Sequence, residues 1–165
     1  MILNISDEFV EDSKNIIKYL SNHSFENFDS EVTFRWKNKN EMTKFKAITE
    51  AVFKNLNIKA LTTNYFGNRM MKSQFINNIK NCHSLRSVNF NNIWDLEAQL
   101  DAVEANQNVK KWTIKLDKEA IIGGQCARLQ KMISNMGYNS LYVSSYGTPI
   151  DDYLQQFRIY PVSYC

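Results

Sequence analysis

Cys126 follows two adjacent glycines in the stretch Ile121-Ile122-Gly123-Gly124-Gln125-Cys126-Ala127-Arg128-Leu129, where a helical spacing begins. Two chemistries fit residues of these types in this order. Free backbone amides at a helix start, with the positive end of the helix dipole behind them, attract a phosphate. The same dipole stabilises a thiolate, so Cys126 would be a nucleophile if a base stood beside it. Both histidines, His23 and His83, lie upstream, so the base would be His83, oriented by Asp95 or Glu97. A buried, inert thiol is the plainer reading of one cysteine. The simple nucleotide loops are not present: no Gly-x-x-x-x-Gly-Lys-Ser/Thr run occurs, and adjacent glycines do not make a Gly-x-Gly-x-x-Gly turn.

The elements that would hold this stretch follow from hydrophobic spacing. Trp112, Ile114 and Leu116 alternate with Lys111, Thr113 and Lys115, which predicts a strand before the glycines. A helix over about 125–135 comes next, ended by Gly137, then an apolar strand in Ser140–Gly147. Thr148 and Pro149 predict the cap and first residue of a short helix, and a strand closes the chain near Pro161. Upstream, Phe9, Ile16 and Leu20 predict a helix near 7–21, with Ser6 as cap. Val32, Phe34 and Trp36 mark a strand, and Phe45, Ile48, Val52 and Leu56 a helix capped by Asn40. A strand then runs towards Gly67, a helix spans 69–81, a strand ends at Phe90 and a helix covers 92–105. Internal repeats are not evident. Together these elements predict a single α+β domain over 1–165, a central mixed β-sheet flanked by about five helices.

Within residues 110–164, the strand, the glycine turn, the helix leading into "MGYNSLYVSS" and the run from Tyr153 to Val162 resemble the C-terminal half of a GNAT-type acyl-CoA N-acyltransferase. The resemblance implies that the amides around Gly123, Gly124, Gln125 and Cys126 hold the pyrophosphate of acetyl-CoA, with Arg128 assisting. It also implies Tyr153 as the catalytic proton donor to the departing thiolate. The chain departs from the family pattern at Ile121, where Gln or Arg belongs, and at Cys126, where Gly or Ala belongs. In that reading the strands on either side of the 125–135 helix part to admit the cofactor; continuous pairing would make the glycines a structural bend.

Charge gives the alternative. Residues 31–86 carry eleven basic and three acidic side chains, whereas 87–105 carry four acidic and none basic. Arg35, Lys37, Lys44, Lys46, Lys54 and Arg69 are the candidate contacts of a non-enzymatic protein that binds or inhibits nucleic acid or another protein through this region. Solvated helix faces explain the same charges without a partner. Glu97, Asp101 and Glu104 share a helix face and suit a metal, a basic partner or solvent. Three irregularly spaced cysteines argue against a disulfide framework, and with two histidines they offer no local zinc spacing, so no metal is expected. Without a basic-apolar leader or a long apolar run, the expected compartment is the cytoplasm, with no membrane contact.

Overall fold

Ile2–Ser6 forms a strand, β1, ahead of the first helix, and this changes the architecture. In the computed structural model, which describes residues 1–7, 13–23, 25–64, 69–91, 96–116, 123–137, 139–145 and 148–149, strand and helix alternate from the start. β1 is followed by α1 (Ser13–Asn22), β2 (Phe25–Arg35), α2 (Met42–Asn55), β3 (Leu56–Thr63) and α3 (Arg69–Asn81). Then come β4 (Ser87–Phe90), α4 (Leu96–Ala105), β5 (Lys111–Leu116), α5 (Gly123–Met136), β6 (Leu141–Ser145) and β7 (Thr148–Pro149).

β1 to β6 pair in chain order, and every one of these pairings is parallel. The fold is therefore α/β, with a parallel sheet, and not the mixed-sheet α+β domain expected. Hydrophobic alternation alone is blind to strand direction, whereas the regular alternation of strands with helices, which β1 completes, is the order of a parallel sheet. The only antiparallel pairing described is the two-residue β7, which folds back on β6 through Ser144–Pro149 and Ser145–Thr148. Thr148 and Pro149 are thus in a sheet edge, where a helix start was expected.

Consecutive parallel strands need crossovers, and crossovers of one hand taken in one direction leave every helix on the same face. The helices accordingly pack in series, α1 on α2, α2 on α3, α3 on α4 and α4 on α5. The βα alternation is that of the Rossmann and flavodoxin class. The strand order, however, has no reversal, and such a reversal is what opens a ligand crevice in doubly wound sheets.

Register exposes a repeat that residue identity conceals. Asn4, Thr33, Thr62, Asn89, Thr113 and Tyr142 are successive cross-strand partners, and their numbers step by 29, 29, 27, 24 and 29. One βα unit of that size recurs along the sheet, with different residues in equivalent places.

The core lies between sheet and helices. Phe34, Trp36, Phe45, Val52, Leu96, Leu100, Trp112, Ile114 and Leu141, all expected there, are buried. Phe45 of α2 sits edge-on to Phe34 and at 70° to Trp36, while Phe90 stacks on Trp112 at 6.3 Å. Polar groups close the gaps that strand pairing leaves. β4 pairs with β5 only as far as Thr113, and the buried amide of Gln99 bonds both the N–H and the carbonyl of Lys115 beyond that point. Asn106, at the end of α4, donates to the carbonyls of Ile79 and Cys82 and accepts from the Asn108 N–H, tying down the α3–β4 turn. Gly137, at φ +79°, ends α5 as expected, its N–H bonded to the Ile133 carbonyl.

Candidate binding face

The backbone of Gly123, Gly124, Gln125 and Cys126 forms the first turn of α5. The glycines therefore belong to the helix and do not form a loop before it. β5 and β6, which flank α5 in sequence, pair without interruption from Trp112–Leu141 to Leu116–Ser145. Arg128 reaches α4: its Nη2 lies 2.8 Å from Asp101 Oδ1 and 2.7 Å from Glu104 Oε2, and its Nε donates to Glu104 Oε1 at 3.1 Å. Hydrogen bonding to Arg128 holds the Glu104 carboxyl below its usual range, and the same bond raises the guanidinium. The residue expected to assist a pyrophosphate thus neutralises two of the three carboxylates that suggested a metal or a basic partner. Tyr153, and Asp95 of the cysteine-base reading, lie outside the described residues.

His83 stands in the α3–β4 turn, at the edge where strands begin, with Nδ1 3.3 Å from Asn108 Nδ2. Cys126 belongs to the first turn of α5, which follows the end of β5. The sheet lies between the two edges, so the fold does not bring this pair together.

The basic region is divided in the same way. Phe34 and Trp36 turn towards the helices, so Arg35 between them projects from the opposite face. Lys46 and Lys54 are exposed on α2, on the helix side, and Lys44 lies 3.9 Å from Glu41 there. Lys37 follows β2, where its N–H and that of Asn38 bond Asp7. Arg69 is the first residue of α3. Arg35 and the lysines of α2 thus lie on opposite sides of the sheet.

What the fold does produce is an open sheet face. On it lie Glu31, Thr33 and Arg35 of β2, Ala60 and Thr62 of β3, and Ser87 and Asn89 of β4, each beside its partner strand's counterpart. Lys111, Thr113 and Lys115 of β5 and Tyr142 of β6 lie on it too, as do Asn4 and the exposed Ile2 of β1. These side chains are half-buried or exposed, and no described helix covers them. A parallel sheet is ordinarily covered on both faces by apolar contacts; this one is polar on one side, as in solenoids that bind along a strand surface. At the strand ends, Asn91 Nδ2 donates to Asn64 Oδ1 at 2.7 Å, and Lys115 Nζ approaches the Asn91 carbonyl at 3.4 Å. Over β5 and β6 the face dips into a hollow of about 410 Å³ lined by Lys111, Thr113, Asn139 and Tyr142.

The face was legible in principle, since each strand alternates apolar with Thr, Asn, Ser or Lys. Its meaning was not, because a solvent-facing and a partner-facing strand surface have the same alternation. Among the described helices none is long and apolar enough to cross a membrane. Comparison with protein-family models, with curated proteins and with solved structures gives no match.

Proposed function

We propose that the chain is a non-enzymatic binding protein that engages another protein across the open face of its parallel sheet. The observation that carries this reading is the cross-strand row from Asn4 to Tyr142, polar over six strands and covered by no described helix. A surface with neutral hydrogen-bonding groups at its middle and charges at Arg35, Lys111 and Lys115 suits a folded or extended polypeptide with acidic side chains. Nucleic acid is less well served. In the middle of the face the cations on β2 and β5 are separated by the uncharged Ala60, Thr62, Ser87 and Asn89, which offer a phosphate no partner cation there. Unbroken β5–β6 pairing and the engagement of Arg128 by α4 favour binding over acyl transfer from acetyl-CoA.

The test pairs substitutions on the two sides of the molecule. The wild-type chain should retain a partner from cell extract, with lysine-directed cross-links at Lys111 or Lys115. Thr62→Arg in the centre of the face should abolish retention while circular dichroism stays unchanged. Lys46→Glu with Lys54→Glu should retain the partner. Equal loss from both sides would overturn the reading. Acetyl-CoA at millimolar concentration should leave the melting temperature unmoved, and an upward shift would restore the acyltransferase alternative.

A further inference from the structure

We infer that the hollow over β5 and β6 is the anchor point of that face and receives a carboxylate of an acidic protein segment. This rests on the binding-face reading and goes further, by assigning the end of the sheet that binds first and the chemistry that it selects. Lys111, Thr113, Asn139 and Tyr142 line the hollow, and every one of them carries an N–H or O–H donor. One cation among neutral groups that can each donate favours an anion.

The register adds a direction. Glu31, Ala60, Ser87 and Lys111 form one cross-strand row, so the acid of β2 and the base of β5 are three strands apart. At about 4.8 Å per strand that separation is roughly 14 Å. Lys115, two residues beyond Thr113 on the same strand, gives the β5 end a second cation. On β2 the cation Arg35 is offset by Glu31 on the same face, whereas β5 carries two cations there, so an acidic group is drawn to the β5 end and the segment crossing the face is oriented by it.

The groove between α4 and α5 makes an instructive contrast. It also contains Arg128 and Lys131, but Glu104 lines the same groove and pairs with Arg128. Arg128 there is already matched, whereas among the described residues no carboxylate lines the β5–β6 hollow.

The probe is a short fluorescein-labelled peptide alternating Glu and Gly, compared with its Gln-for-Glu counterpart and with an oligouridylate. The Glu peptide should bind, with the amide resonances of Lys111, Thr113 and Tyr142 shifting most. Lys111→Glu should weaken it by about tenfold or more, and so should the Gln counterpart. Tyr142→Phe, which removes one donor and leaves the fold intact, should weaken it by about threefold to tenfold. Lys46→Glu should leave it within about twofold. Resonance shifts centred elsewhere, equal binding of the Gln peptide, or no Glu-peptide binding would overturn the assignment, as would tighter oligouridylate binding that Lys46→Glu removes. If Thr62→Arg abolishes retention of the cellular partner and Lys111→Glu and Tyr142→Phe do not, the binding face stands and its anchor lies elsewhere.

Discussion

The two faces of the sheet are built from the same strands, residue by alternate residue, yet they do opposite things. The helix side places Val32, Leu61, Val88, Trp112 and Leu141 in one cross-strand row, all buried. One residue along, the open side places Thr33, Thr62, Asn89, Thr113 and Tyr142. The first row holds the fold by removing apolar area from water. The second is half-buried or exposed, so the core places less constraint on its residue types. In the proposed reading, a parallel sheet with one such face separates stability and recognition on opposite sides of a single backbone.

This contrast is open to attack, most forcefully from the helix side. Trp112→Ala removes a side chain with no exposed surface and leaves its stacking partner Phe90 beside a cavity. A loss of about 3–5 kcal/mol in urea unfolding is expected, and a loss below about 1 would mean that the core does not lie where we place it. Asn106→Ala removes one buried and one half-buried bond, to the Ile79 and Cys82 carbonyls, and should cost about 1–3 kcal/mol, with faster amide exchange confined first to the α3–β4 turn. At Gly137 an added Cβ meets nothing within 4 Å, so Gly137→Ala is penalised only by its positive φ. About 1 kcal/mol is expected from thermal or chemical melts.

The Arg128 cluster gives the helix side a pH dependence. Because Glu104 has its carboxyl lowered in the folded chain, its contribution is present above the ordinary carboxylate range and is lost as pH falls through the lowered value. Arg128→Ala should therefore cost up to about 1 kcal/mol at neutral pH, and the two melting curves should converge in acid. A difference that grew in acid would contradict the ion pair. The smallest effect belongs to the open face, where Thr113→Ser should change stability by less than about 0.5 kcal/mol.

The helices over Arg69–Asn81 and Leu96–Ala105, the strand at Lys111–Leu116 and the core aromatics were readable because local spacing alone determines them. β1 was hidden because Ile2-Leu3-Asn4-Ile5 is short and adjoins a good helix cap at Ser6. The glycine pair drew attention as a loop, while the chain keeps it within α5. Glycine permits a turn without requiring one. Arg128 looked like an anion ligand, and only the packing of α4 against α5 brought Asp101 and Glu104 to it.

By itself, then, the amino-acid sequence determined which residues are buried and nearly every element that buries them, since burial periodicity is a property of neighbouring positions. The tertiary structure alone decided that the strands run parallel in chain order, that the basic region is split across two sides, and that Lys111, Thr113, Asn139 and Tyr142 surround one hollow. Those facts depend on pairings between residues some 24 to 29 positions apart, and no local pattern encodes which partner a strand will choose.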